Sequence, residues 1–209
     1  MEYSAIIPCG GIGSRLNLGY NKILLKVKDE YLIEKTIKNF LNDCDCKEVI
    51  IVYQETDLKS LKDILKHPKI RFTIGGQSRE ESVYNGLKIA KYECVLIHDG
   101  ARPNIKVDLI KRIKEKLINN DCVIPIVKSK DATLIDEKYH FNEVSLIQTP
   151  QALKKDILLK AMENVDLGKF KDDGSIYAYY YKKDIATVLG DYSNIKVTTI
   201  DDLNKIEEE

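Results

Sequence analysis

The chain has 209 residues, enough for one sizeable buried core, and its 33 Lys plus Arg are matched by 33 Asp plus Glu, leaving no net charge. That balance excludes the basic field that holds a long nucleic acid, and no apolar run is long enough to span a bilayer. With 5 cysteines in a poor metal or disulfide spacing and no Pro/Gly/Ser-rich linker, the expectation is a single domain over 1–209, cytoplasmic, with reduced thiols and a small charged ligand.

Residues 4–8 form a short apolar run, a first strand, which delivers Pro8, Cys9, Gly10, Gly11, Ile12, Gly13, Ser14 and Arg15, with Lys22 shortly beyond. Glycines let the backbone approach an anion closely, their amides can point at phosphate oxygens, and Arg15 and Lys22 bring positive charge to the same place. A dinucleotide fingerprint would need a small residue where Leu16 stands, and a Walker loop would need Gly-Lys-Ser/Thr, so neither standard phosphate motif fits.

Further along, Leu32, Ile33, Ile37, Phe40 and Leu41 predict a helix over 29–42. Residues 48–53 are β-branched and nearly continuous, as in a parallel strand covered on both faces. A helix over 56–66 carries Leu58, Leu61, Ile64 and Leu65 on one stripe, and a strand over 70–74 runs into a second glycine turn, Gly75 and Gly76, ahead of Arg79 and Ser82. The helix opened there buries Val83, Leu87 and Ala90; a fourth strand, 94–97, leads to His98-Asp99-Gly100-Ala101-Arg102-Pro103, and a helix follows over 107–118.

This regular alternation predicts an α/β domain with a mostly parallel sheet. Ligands of such sheets lie beyond the carboxyl ends of the strands, so the loops at 9–22, 75–82 and 98–103 should converge on one site. A strand over 121–127 ends the alternation. Residues 128–148 read as extended segments, an arm that could pair with a second subunit; helices over 154–164 and 173–183, a strand over 185–189 and an extended 194–198 then precede a charged terminal helix. Tyr177, Tyr179, Tyr180 and Tyr181 stand at helical spacing and read as packing rather than a base-stacking platform.

Taken in order, Gly10-Gly11-x-Gly13-x-Arg15, Lys22, Gly75-Gly76-x-x-Arg79-x-x-Ser82-Val83, His98-Asp99-x-Ala101-Arg102-Pro103, Thr149-Pro150-Gln151, Asp172-Asp173 and Asn194-Ile195-Lys196-Val197-Thr198 resemble the cytidylyltransferases of polyol phosphates. The resemblance covers nearly the whole chain. It implies a Rossmann-like nucleotidyltransferase domain with a projecting arm, about 128–148, that makes a homodimer. It also implies cytidylyl transfer from CTP to 2-C-methyl-D-erythritol 4-phosphate, in the non-mevalonate route to isoprenoids, with release of pyrophosphate. Ribitol 5-phosphate or another polyol phosphate is the alternative acceptor, and a non-catalytic nucleotide-binding protein is the reading from another class.

Residue by residue, the resemblance implies that Pro8, Cys9, Gly10, Gly11 and Gly13 cradle CTP and that Arg15 and Lys22 are catalytic. Gly75, Gly76, Arg79, Ser82, Asp99, Gly100 and Arg102 would complete the nucleotide site, Asp99 would help to hold Mg²⁺, and Thr149 and Lys196 would face the polyol phosphate. Departures fall mostly in the arm: Phe141 stands where the family commonly has an Arg, and Ala132, with Thr133 beside it, where it has a Thr. Asn21 stands where a Pro is usual, and Gln77 where an acidic residue is common. The first glycine stretch and 195–199 look like the ribitol-phosphate branch; Arg79-x-x-Ser82-Val83, Asp99-Gly100-Ala101-Arg102 and Asp172-Asp173-Gly174-Ser175 look like the methylerythritol branch, which is favoured. A phosphate monoester is already ionised near neutral pH, so such a reaction needs placement and charge neutralisation rather than an activated nucleophile.

Overall fold

β1 (Tyr3–Pro8) is buried on both faces, which explains its unbroken apolar run: Tyr3, Ala5 and Ile7 point into one core and Ile6 into another. The computed structural model describes residues 1–10, 18–135, 137–141 and 143–207. After β1 come β2 (Lys26–Val27), β3 (Glu30–Tyr31), α1 (Leu32–Asn42), β4 (Cys46–Tyr53), α2 (Leu58–Ile64), β5 (Ile70–Ile74), α3 (Arg79–Ile89), β6 (Cys94–Ile97) and α4 (Val107–Leu117). The rest comprises β7 (Cys122–Lys128), β8 (Thr133–Ile135), β9 (Lys138–His140), β10 (Ser145–Ile147), β11 (Gln151–Lys154), α5 (Lys155–Glu163), α6 (Asp173–Tyr181), β12 (Ala186–Leu189) and α7 (Ile200–Glu207).

The main sheet runs β5-β4-β1-β6-β11-β7, with β10 and β12 also paired to β7. β5, β4, β1 and β6 are parallel, β11 is antiparallel to both of its neighbours, and β12 is parallel to β7. The strand order therefore reverses at β1, between β4 and β6, and that switch point is where an open α/β sheet leaves a crevice at its carboxyl edge. α1, α2 and α4 cover one face through Ile33, Ile37, Phe40, Leu61, Leu109 and Ile113; α3, α5 and α6 cover the other through Val83, Leu87, Leu158, Ala161 and Ile176. α7 closes a smaller cluster of Val27, Leu32, Ala101, Val197, Leu203 and Ile206, which ties the C-terminal segment to the loop after β6.

Local chemistry sets the helix starts. The Ser78 hydroxyl accepts from Glu81 N–H at the head of α3, and the Asp172 carboxylate accepts from Ser175 N–H at the head of α6. α1 begins at Leu32 and not at residue 29, because 26–31 folds back as the β2–β3 pair with Lys28 at φ 57°. β11 is a strand that the hydropathy pattern does not reveal, and β10 returns part of the arm to the sheet by pairing antiparallel with β7. Within the arm, β8 and β9 form a separate two-stranded ribbon. Of the tyrosines on α6, Tyr177 is buried and Tyr180 and Tyr181 pack on the core, while Tyr179 is exposed with Lys182 Nζ 4.1 Å from its ring centroid.

Candidate nucleotide site at the sheet switch point

The loops that follow β1, β5 and β6, joined by residues 196–198, enclose a cavity of about 340 Å³ lined by Pro8, Cys9, Gly10, Lys22, Gly76, Arg79, Ser82, Asp99, Gly100 and Lys196. These residues, singled out from the sequence, do converge. The same walls carry Ile23, Gln54, Gln77, Ser78, Ala101 and Thr198, which sequence reasoning did not assign; Gln54, directly after β4, was foreshadowed only by its place at a strand end. Gly11, Gly13 and Arg15 lie outside the described residues.

Close packing surrounds two of the glycines, against a movable side-chain end at Gly10 and against backbone at Gly75. A Cβ on Gly10 would stand 2.6 Å from Gln54 Nε2, and one on Gly75 would stand 2.9 Å from Ser82 Oγ and 3.3 Å from Tyr53 O. Gly75 thus brings the second loop in while lying behind the cavity wall, and Gly76 N–H donates to the Ser82 hydroxyl at 3.1 Å. Cys9 contributes little but its small size: burial pushes its thiol pKa well up, so it stays protonated and inert.

Charge is concentrated around Asp99. Its Oδ1 accepts from Arg79 Nε at 3.3 Å, and its Oδ2 accepts from Lys196 Nζ at 2.9 Å and Arg102 Nε at 3.4 Å. Burial alone would raise this carboxyl, but Arg79, Lys196 and Arg102 outweigh it and hold the pKa well below the usual carboxylate range. Arg79 also makes a two-pronged contact with the fully buried Asp173, Nη1 to Oδ1 at 3.2 Å and Nη2 to Oδ2 at 2.9 Å, so although burial works against its charge the two carboxylates keep it protonated. Three cations against two carboxylates leave this cluster positive, and Lys22, whose Nζ donates to Val197 O at 2.7 Å, adds another charge to the wall. An anion is the ligand that such a cavity suits.

Besides Gly75, two residues expected at the ligand stand behind the wall instead. Arg102 is partly buried, with Nε on Asp99 and Nη1 donating to Asn194 O at 2.8 Å. Thr149 is buried, and its hydroxyl is fully engaged: it accepts from Asp99 N–H at 3.1 Å and lies 3.0 Å from His98 Nδ1. His98 Nε2 lies 3.0 Å from Arg102 O, a carbonyl that can only accept, so Nε2 carries the ring proton and Nδ1 accepts from Thr149. The expectation that Thr149 faces the polyol phosphate is corrected on this ground: its hydrogen bonds point into the wall, where they fix the backbone of Asp99.

The described residues gather no group of three or more His, Cys, Asp or Glu that could hold a metal on protein ligands alone. Mg²⁺, however, is usually bound by one or two carboxylates plus substrate phosphates and water, and Asp99 is the kind of donor this requires on the cavity wall, its oxygens shared here with Arg79, Arg102 and Lys196.

A sequence model of the 2-C-methyl-D-erythritol 4-phosphate cytidylyltransferase family matches residues 3–208. Among curated proteins carrying that name, the one from Bacillus licheniformis is 37% identical over 216 residues, covering 97% of this chain and 93% of its own. The one from Geobacillus thermodenitrificans is 32% identical over 216 residues, covering 97% and 94%. Among solved structures, 4-diphosphocytidyl-2C-methyl-D-erythritol synthase from Anaerococcus prevotii superposes with a TM-score of 0.87 at 31% identity, over 99% of this chain and 97% of that one. The bifunctional IspDF of Campylobacter jejuni gives 0.88 at 30% identity over 98% of this chain, which spans 54% of that longer protein.

Proposed function

The chain belongs to the 2-C-methyl-D-erythritol 4-phosphate cytidylyltransferase family, and from that premise we propose how its cavity carries out the reaction. The enzyme transfers the cytidylyl group of CTP to 2-C-methyl-D-erythritol 4-phosphate, giving 4-diphosphocytidyl-2-C-methyl-D-erythritol and pyrophosphate in isoprenoid biosynthesis. The observation that carries this reading at the level of residues is the pairing of Arg79 and Lys196 with one buried carboxylate, Asp99, in a cavity at the sheet switch point whose wall Lys22 also lines.

A phosphate oxygen of the acceptor attacks the α-phosphorus of CTP; that O–P bond forms as the bond from the α-phosphorus to the bridging oxygen breaks, and pyrophosphate leaves with the electron pair. No proton has to move, so the protein's part is placement and charge. The glycine stretch from Pro8 to Gly13 cradles the triphosphate. Lys22 and Arg15 oppose the negative charge that builds on the α-phosphate and the leaving group. Gly76 and Ser82 hold the nucleoside end, with Gly75 behind them drawing the loop in, and Arg79, oriented by Asp173, and Gly100 complete that side. Asp99 positions the nucleotide, kept in place from behind by Arg102 and by the His98–Thr149 chain. Lys196 is the cation for the acceptor phosphate. Asp99 would also be the protein ligand of a Mg²⁺, which would supply neutralisation of phosphate charge.

The arm carries exposed Leu134, Tyr139, Phe141 and Leu146, and we assign it to the contact of a homodimer. We place the protein in the cytoplasm, where its thiols, all free, stay reduced; no helix among the described residues is long and apolar enough to cross a membrane. The test is pyrophosphate release from CTP and Mg²⁺ with 2-C-methyl-D-erythritol 4-phosphate or ribitol 5-phosphate. Turnover with the first is expected; turnover with ribitol 5-phosphate alone would reject the acceptor while keeping the chemistry.

A further inference from the structure

Lys22 owes its place to its neighbour. Asn21 is buried, and every hydrogen-bonding group of its side chain that the structure engages joins a different part of the site. Its Nδ2 donates to Cys9 O at 2.5 Å and to Asp57 Oδ2 at 2.8 Å, and its Oδ1 accepts from Ile23 N–H at 3.3 Å. Cys9 is itself pinned to the sheet by its N–H on Val52 O at 2.8 Å. Asp57, also buried, closes the turn between β4 and α2 with its N–H on Gln54 O at 2.8 Å. One amide therefore joins the end of β1, the β4–α2 connection and the short turn Lys22–Leu24.

We infer that Asn21 is a positioning residue for Lys22, an inference that rests on the catalytic reading of Lys22 given above. Cys9 follows β1 and Asn21 directly precedes Lys22, so their bond ties Lys22 to the strand end that opens the cavity wall. Ile23, on the far side of Lys22, is buried in the core. With residue 21 held by hydrogen bonds and residue 23 by packing, the backbone of Lys22 has one place, and its ammonium reaches Val197 O from there. Asp57 makes the anchor firm, because a hydrogen bond to a carboxylate is stronger than one to a neutral acceptor. Only an amide of this length supplies the two donors and the acceptor together. An Asp could not donate, and an Ala would leave Cys9 O, Ile23 N–H and the buried Asp57 without this partner.

The experiment is a double-mutant cycle on the full chain: Asn21→Ala, Lys22→Ala and both together, with steady-state pyrophosphate release read as kcat and KM and the thermal midpoint of each variant recorded. Misplacing a catalytic group by about 1 Å costs on the order of 100-fold, so Asn21→Ala is expected to lower kcat by roughly 10- to 100-fold with the KM for CTP changed less than about threefold. In the Lys22→Ala background the same change is expected to alter kcat less than about twofold. An equal loss in both backgrounds, or full kcat in a folded Asn21→Ala protein, would overturn the inference while leaving Lys22 catalytic. A Lys22→Ala enzyme with full turnover would reject the Lys22 reading, and with it any role for Asn21 exerted through Lys22. Asp57→Ala, which removes the anchor from outside the loop, takes the place of Asn21→Ala in the cycle if the latter does not fold, and the same outcomes decide.

Discussion

Protonation of His98 should weaken the fold, and by an amount the wall of the site sets. The imidazole is fully buried, 5.3 Å from the Phe40 ring, with Nε2–H donating to Arg102 O and Nδ1 accepting from Thr149. A second proton, on Nδ1, would force the Thr149 hydroxyl to accept there while it already accepts from Asp99 N–H, leaving its own proton without this acceptor. Burial, ahead of the neighbouring Arg102, pushes the His98 pKa from 6.5 down to about 4. Because the folded value lies below the unfolded one, the unfolded chain binds the proton first as pH falls: the stability is complete above 6.5 and drains away toward about 4. At 1.36 kcal/mol per pH unit the full loss is about 3 kcal/mol, and about 2 kcal/mol has gone by pH 5. Asp202 acts lower: hydrogen bonds from Thr198 and Thr199 overcome burial to hold it down to about 2, so its contribution is lost as pH falls from its ordinary 3.8 toward that value, while Asp173, which burial pushes up against the pull of Arg79, titrates alike with and without the imidazole. The assay is urea unfolding at pH 7.5 and 5.0, in metal-free buffer, of the protein and of His98→Gln, whose amide can donate to Arg102 O without titrating. The unsubstituted protein should lose about 2 kcal/mol more than the variant over that interval. An equal loss in both would refute the argument, since the other titrating groups are common to the two proteins.

Three further outcomes follow from single contacts. Asp173→Asn should lower stability at pH 7 by about 3 kcal/mol, the low end for breaking a buried ion pair because Arg79 keeps Asp99; a change below about 1 kcal/mol in urea unfolding would show the pair to be idle. Gly86→Ala should destabilise by about 1–2 kcal/mol, because the added Cβ would stand 2.6 Å from Ile6 Cγ2 and 3.2 Å from Val52 Cγ2 and the strain exceeds the gain in helix propensity; a rise in the thermal midpoint would contradict this. Tyr139→Ser with Phe141→Ser should shift the protein to a slower-sedimenting species at micromolar concentration, whereas unchanged sedimentation would remove the arm from the dimer contact.

Much of this molecule is legible along the chain, and the reason is burial. β1, β4 and β6 are covered on both faces, so their apolar runs are continuous and cannot be mistaken for solvated loops. The same patterning, with glycine turns after β1 and β5, marks the α/β class and points the loops to one edge. β11 escapes because four residues with polar ends become a strand only through pairing with β6 and β7, partners remote in sequence. The start of α1 escapes likewise, since the β2–β3 fold-back competes locally with the helical pattern.

By itself, then, the sequence determined the fold class, the order of the longer helices and of the buried strands before the arm, and the residue types that a phosphate site requires, because periodicity and glycine placement are local properties. Which way each polar side chain faces was decided by tertiary structure alone. Asp99 draws its cations from positions 79, 102 and 196, and Thr149 turns inward because His98 and the Asp99 amide satisfy its hydroxyl there. Asn21 reaches Cys9 and Asp57 across stretches of chain that no spacing rule connects. Hydrogen bonds and ion pairs between distant residues exist only once the sheet has brought their strands together, and these contacts separate the residues that face a ligand from those that hold them in place.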